Sequence, residues 1–235
     1  MYPTILLPAL IAFLLSMFLV DTLQVLLRVI SAVVSAPVLG AHLGSIFMLL
    51  NRAATAFALL TIGYLVDTGL QARYLLLSYI AASLLLALCH FPLLRRKLLL
   101  AVTLKSFRVI YGETCDPATL LAASQLNGGH VKYKISISVC VVTAIGFIGL
   151  LAPSLLASTF PEYRATLMQT GFIMNSIASI MNVFQVERKI AMTIHGGNYE
   201  QLNVLYSSYT VSRAIGYMSA LILFALPLMA SYFLH

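Results

Sequence analysis

Arginine, aspartate and asparagine recur inside long apolar runs of this chain, where each is costly unless it meets water, a partner or a ligand. Asp21, Gln24 and Arg28 stand at i, i+3 and i+7 and so share one helix face. A carboxylate at Asp21 is expected to face a wet cavity or a cation; the plainer reading is a polar residue near a helix end. Arg52 lies near the middle of the next apolar run, beside Asn51 and three residues before Thr55. An unpaired arginine at such a depth costs from about 2.5 kcal/mol on insertion scales to above ~10 kcal/mol in simulations. Two roles fit it. It pairs with Asp21 or another acid, or it binds an anionic substrate, and a transporter can alternate between the two.

Two further stripes follow the same logic. Gly171, Asn175, Ser179, Asn182 and Gln185 recur at steps of 4, 4, 3 and 3, which puts them on one flank of a helix. Small and polar residues of this kind favour close packing between membrane helices, and they would equally line a hydrated path. Tyr206, Thr210, Arg213 and Tyr217 recur at steps of 4, 3 and 4. Arg52, Arg213 and Arg28 together would offer a phosphate or diphosphate several planar, two-pronged donors, and convergence of the three is the expectation. Asp67, after Gly63 and Val66, is read as a gating or capping carboxylate at a helix end, and Gln24 and Tyr217 as supporting groups. Glu187, Arg188 and Lys189 read as a solvated helix end.

Other chemistry finds little support. Cys89, Cys115 and Cys140 are widely separated and odd in number, and read as small apolar residues rather than metal ligands. The histidines show no paired metal spacing, no Ser-His-Asp or HExxH arrangement occurs, and neither a catalytic role nor a cofactor is expected. Pro153, Pro161 and Pro227 bend or end helices.

The elements that must hold these residues follow from composition. Of 235 residues, 61% are hydrophobic and 9% charged, against about 25% charged in a soluble domain. So few charges cannot cover a water-facing surface, and the outer surface must meet lipid. The net charge of +7 sits mainly between apolar blocks, where it marks membrane orientation rather than nucleic-acid binding. Crossing a hydrocarbon core takes roughly 20 helical residues. Segments 4–27, 38–66, 74–94, 135–157, 166–186 and 207–233 meet that length, so the expected fold is all-α, a polytopic transmembrane helical bundle of about six spans. The start, Tyr2-Pro3-Thr4 before an apolar run, lacks a cleavable signal pattern.

With the N-terminus outside, the cytoplasmic connections hold Arg28, Arg95, Arg96, Lys97, Lys105, Arg108, Lys132, Lys134, Arg188 and Lys189, and the external ones only Arg73 and Arg164. This bias places both termini outside. Residues 95–134 form a cytoplasmic insertion within one membrane domain. In it, Leu98 to Ile110 reads as a basic amphipathic helix at the interface, or as a packed hairpin, and would gather anionic phospholipids. A second short helix follows from Asp116-Pro117, and Asn127-Gly128-Gly129 makes a turn.

The order of these features resembles the Amj family of bacterial alternate lipid II flippases. The likeness is carried by Asp21-Thr22 with Arg28, Asn51-Arg52, Gly63…Val66-Asp67 and Ser212-Arg213…Gly216, and by the long section after span three. It is sharp over 21–67 and 207–227. It departs at Asn51, where the family pattern has serine, and at Val33-Val34-Ser35, where it is more basic. The resemblance implies a multi-pass protein of the bacterial cytoplasmic membrane. It also implies movement of lipid II, an undecaprenyl-diphosphate-linked cell-wall precursor, to the outer leaflet. From the residues themselves, the substrate contacts would be Arg28, Arg52, Arg213, Asp21, Asn175 and Asn182. A homodimer with a shared or apposed cavity would enlarge so small an enclosure. A small-solute or ion transporter and a non-catalytic scaffold subunit are the competing classes. A lateral opening would favour the flippase, and ion pairs without a cavity the scaffold.

Overall fold

A computed structural model describes residues 3–33, 37–93, 136–196 and 199–229, together with Lys105. The expected insertion at 95–134 lies, apart from Lys105, outside the described residues, as do the ends of the chain.

The described residues are helical throughout, with no strand among them. A 3-10 turn, Pro3–Leu6, leads into α1 (Leu7–Val33), followed by α2 (Pro37–Asp67), α3 (Ala72–Leu93) and α4 (Ile137–Thr159). A second 3-10 turn, Pro161–Tyr163, opens α5 (Arg164–Met181), which runs through a π-helical stretch, Asn182–Glu187, into α6 (Arg188–Gly196). The last helix, α7 (Tyr199–Ala220), continues through a second π stretch, Leu221–Ala225. Five helices are long and apolar enough to cross a membrane: Thr4–Ala32, Gly40–Asp67, Ala72–Phe91, Ile137–Thr159 and Glu200–Met229. This is the architecture of a multi-pass membrane protein.

The helix expected as a span over 166–186 is present but does not join those five. Gln169, Asn175, Ser176, Ser179, Asn182 and Gln185 dilute its Ile and Phe. Serine and threonine elsewhere are accommodated because their hydroxyls bond back onto the helix, as Ser31 does to Leu27 at 2.7 Å and Thr143 to Val139 at 2.7 Å.

α1 and α2 form an antiparallel hairpin, and α4 is the central helix, with α5 on one side and α7 on another. Small residues set these contacts. A Cβ at Gly149 would stand 2.9 Å from the Met174 Cβ, and one at Gly216 2.9 Å from the Cys140 carbonyl oxygen. Pro153 has no N–H to offer the Gly149 carbonyl one turn back, and Gly171 of α5 lies against that oxygen.

The α2–α3 turn has a sequence-encoded stop. Leu70 N–H bonds the Leu65 carbonyl at 3.0 Å and Gly69 N–H the Val66 carbonyl at 3.1 Å, with Gly69 at φ +74°. That is the Schellman pattern, in which glycine takes the left-handed position and Leu70, 5% exposed, supplies the apolar contact. Gly69→Ala is expected to cost about 1 kcal/mol, measured as a lowered unfolding midpoint in detergent; an unchanged midpoint would contradict it.

Two apolar cores result. One gathers Leu10, Leu14, Phe18, Ile62, Leu65, Tyr79, Phe147, Leu151 and Tyr217. The other gathers Val25, Leu26, Val29, Leu43, Val139, Val186, Leu202 and Tyr209. On α1 the border between them falls at Asp21 and Thr22, and on α7 at Arg213.

Candidate functional site

At that border Arg213, 4% exposed, donates from its guanidinium to the Asp21 carboxylate across the α1–α7 contact. Its Nε also lies 3.3 Å from the Thr22 hydroxyl, and its guanidinium carbon stands 5.7 Å from the Tyr209 ring and 5.8 Å from the Tyr217 ring. His90 of α3 closes the cluster. Its Nδ1–H donates to the Leu86 carbonyl at 2.6 Å, and its Nε2 lies 3.2 Å from the Thr22 hydroxyl, whose single proton is shared between that nitrogen and the Phe18 carbonyl at 3.0 Å. Tyr217 is fully buried, and its ring lies 5.4 Å from that of His90. Tyr206 spends its hydroxyl on the Leu93 carbonyl, and Thr210 on the Tyr206 carbonyl at 2.9 Å. The stripe read from α7 is therefore a buried structural polar layer.

Arg28, about two turns further along α1 than Asp21, donates to Glu187 at 2.7 Å; the two side chains are 30% and 24% exposed. This corrects the reading of Glu187 as a solvated helix end. Three charges in a row, Glu187-Arg188-Lys189, look like a helix end in water, and the partner that meets the first of them comes from α1, distant in the chain. A third pair joins Arg164 at the start of α5 to Asp67 at the end of α2, at 3.1 Å. Asp67, 69% exposed on its side chain, thus ties two helix ends together.

The three arginines do not converge. Arg213 and Arg28 are occupied by carboxylates, so the interior is not predominantly positive: charges there come in pairs. Arg52 is exposed and makes no hydrogen bond or ion pair among the described residues. Nor does it meet Asp21, offered from sequence as its partner, because Asp21 turns to α7. On the α1–α2 hairpin a Cβ at Gly40 would meet Ser31, Gly44 meets the Arg28 side chain, and Phe57 stacks on Phe13 at 5.6 Å. This register brings Asn51 level with the turn of α1 that holds Asp21, and the Asn51 Oδ1 is buried with no partner among the described residues. Gln24 is buried on α1.

Arg52 nevertheless has a defined setting. Arg52, Leu59, Gly63 and Asp67 follow at steps of 7, 4 and 4 and share one flank of α2. Asp67 reaches α5, and a Cβ at Gly63 would meet open space. On α5 and the π-helical stretch after it, Arg164, Met168, Asn175 and Asn182 follow at steps of 4, 7 and 7, so both asparagines share the flank of Arg164, which reaches Asp67 of α2. Asn175 and Asn182 are half-buried, and Ser179 and Gln185 are exposed. α5 packs along α4, which α2 also touches, and α2 and α5 do not pack along one another. The Asp67–Arg164 pair ties the end of α2 to the start of α5, and the Arg28–Glu187 pair ties α1 to the end of the π-helical stretch. At 1.5 Å rise per residue, Arg52 and Ser179 both lie roughly 22 Å from the Asp67–Arg164 pair.

A cleft of about 960 Å³ opens beside the Glu187 end, between the start of α4, α6 and α7. Ser136, Gln185, Lys189, Glu200, Ser208 and Tyr209 contribute to its wall. Tyr209 therefore stands between this cleft and Arg213. Sequence reasoning missed the cleft, since its lining comes from three segments that only the fold brings together. No family model, no curated protein and no solved structure matches this chain.

Proposed function

We propose that this chain carries an anionic, lipid-linked headgroup across the bilayer along the exposed flank of α2 that carries Arg52. The substrate class follows the family resemblance: an undecaprenyl-diphosphate-linked cell-wall precursor, taken from the cytoplasmic leaflet of a bacterial inner membrane to the outer one. The observation that supports this reading is Arg52, an exposed cation with no acidic partner among the described residues, near the middle of a helix long and apolar enough to cross a membrane. An arginine in that position is costly to keep, and a diphosphate passing along α2 would give it a two-pronged partner. Asn175, Asn182 and Ser179 supply neutral hydrogen-bonding groups at comparable depth, while the lipid tail stays in the bilayer. Arg213, bound to Asp21 and enclosed by aromatic rings, holds the bundle together and leaves the cargo to Arg52 and Arg28.

The test is leaflet exchange of fluorescent lipid II in liposomes containing the purified protein. Arg52→Gln is expected to slow protein-dependent exchange about tenfold, the loss of one charge-assisted contact in the rate-limiting state. Arg73→Gln, at the exposed start of α3, should leave it unchanged. Equal rates for Arg52→Gln and the parent protein would remove Arg52 from the path. A second reading, a scaffold subunit of a membrane complex, is favoured by the pairing of Arg213 with Asp21 at a helix contact. It predicts no exchange by the parent protein.

A further inference from the structure

The two halves of the bundle repeat one another. α4 ends 126 residues after α1, at Thr159 against Val33. α5 and α7 begin 127 residues after α2 and α3, at Arg164 against Pro37 and at Tyr199 against Ala72. The packing repeats with the same offset. α1 packs along α2 as α4 does along α5, α3 rests on α1 as α7 does on α4, and α1 touches α7 as α4 touches α3. Individual contacts keep this register to within a residue. In the first half Arg28 lies against Gly44 and Thr22 meets His90. In the second, Pro153 lies against Gly171 and the Phe147 ring stands beside that of Tyr217. α3 and α7 run antiparallel, since Ser83 donates to the Tyr217 carbonyl and Tyr206 to the Leu93 carbonyl. The halves are therefore inverted relative to one another, about an axis between α3 and α7.

One difference breaks this symmetry. In the second half the cleft is open, and Gln185, Lys189, Thr193, Leu205 and Tyr209 contribute to its wall. The positions 127 residues earlier are Ala58, Ile62, Val66, Ser78 and Ala82. These are 0, 1, 1, 4 and 0% exposed, so the equivalent space in the first half is shut. The backbone differs at the same place. The long helix of the second half passes beside the cleft through the π-helical stretch Asn182–Glu187, whereas α2 is α-helical from Pro37 to Asp67. A π turn is a point at which a helix bends. The Asp67–Arg164 pair, at 3.1 Å, fastens the end of α2 to the start of α5 at the shut end. Ile194 and Pro37, the equivalent positions beside the cleft, carry no charge.

We propose that the two halves exchange these conformations. The cleft between α4, α6 and α7 closes while an equivalent one opens at the opposite end of the bundle, between the start of α1, the end of α2 and the start of α3. Inverted repeats allow this because each half can take up the packing that the other now holds. Ala58, Ser78 and Ala82 place little side chain in the seam that must part. Asp67–Arg164 is the latch that favours the described state. This goes beyond the transport reading and does not depend on the cargo.

The experiment measures spin-label distances on the full chain in lipid nanodiscs, with Cys89, Cys115 and Cys140 replaced by alanine. One pair, Ile137→Cys with Met192→Cys, spans the cleft; the other, Ile5→Cys with Tyr64→Cys, spans the opposite end. All four positions are exposed, at 75, 57, 59 and 49%. A minor population is expected, shorter than the main one in the first pair and longer in the second. Asp67→Asn should enlarge it about threefold in both pairs, as loss of an exposed ion pair allows. Arg73→Gln should leave both distributions unchanged. A single population in each pair, unaltered by Asp67→Asn, would overturn the exchange. So would an Asp67→Asn variant in which both pairs widen together, because that is loosening and not exchange. If the cysteine-free background does not fold, hydrogen exchange of the unlabelled protein decides. Asp67→Asn should then speed exchange about threefold at the start of α3 and leave the start of α7 no faster; equal acceleration at both overturns the proposal. The readout needs no cargo, so absence of lipid exchange would remove the transport reading and leave this one standing.

Discussion

Arg213→Ala is expected to destabilise the folded bundle by about 3–5 kcal/mol, the cost of leaving one member of a buried ion pair without the other. Four groups lose a partner at once. Asp21 loses its cation, the Thr22 hydroxyl loses a donor, and the Tyr209 and Tyr217 rings lose the guanidinium that stood 5.7 and 5.8 Å from them. The void falls on the border between the two apolar cores, where no neighbouring side chain has a charge to lend. Arg213→Lys should recover only part of the loss, because an ammonium is a point donor and cannot serve Asp21 and Thr22 from two sides of a plane. Asp21→Asn should cost less than Arg213→Ala, since an amide oxygen still accepts a hydrogen bond and the Asp21 side chain is 32% exposed. Unfolding of the detergent-solubilised protein, followed by circular dichroism, measures all three. A loss under about 1 kcal/mol for Arg213→Ala would mean that the pair is not a structural tie.

Gly149→Leu should cost about 3 kcal/mol, at the upper end of ordinary overpacking. The obstacle is fixed rather than flexible: a Cβ at position 149 would stand 2.9 Å from the Met174 Cβ and 3.5 Å from the Met174 carbonyl carbon. Relief requires α5 to move away from α4, and α5 carries Asn175, Asn182 and the route to Glu187. The variant is therefore expected to loosen the neighbourhood of the Arg28–Glu187 pair at a distance. Thiol labelling in a Val186→Cys background reads this, because Val186 is 3% exposed in the parent fold and should become reactive. Gly146→Ala is the matched control. Its new methyl meets only the Ala178 Cβ at 3.8 Å, an ordinary contact, and stability should stay within about 0.5 kcal/mol of the parent. Equal stability of Gly149→Leu and the parent would show that the two helices can separate freely.

The sequence made the bundle legible because membrane spans are a matter of composition and length, and five of the expected six are long and apolar enough. It also pointed to the charged residues that required an explanation. It could not say which of them meet. Asp21 and Arg213 are far apart in the chain, and the choice of Arg213 over Arg52 depends on how α1 is rotated within the bundle, which periodicity on α1 alone does not define. Glu187 was misjudged for a different reason: three charges in a row look like a helix end in water, and only the fold brings Arg28 of α1 to the first of them. The Asn175–Gln185 stripe was legible as a stripe, yet its members divide between half-buried Asn175 and Asn182 and exposed Ser179 and Gln185. The cleft by Tyr209 had no signature at all, since polar and apolar wall residues from separate segments look ordinary one at a time.

The exposed position of Arg52 also has a consequence for the membrane around the protein. A guanidinium at that depth draws water and phosphate inward, and the bilayer responds by thinning locally. The leaflet beside α2 would then be dimpled even when no cargo is present. Under the proposed function, a headgroup approaching along that flank would have less hydrocarbon to cross, and the lipid itself would be part of the pathway.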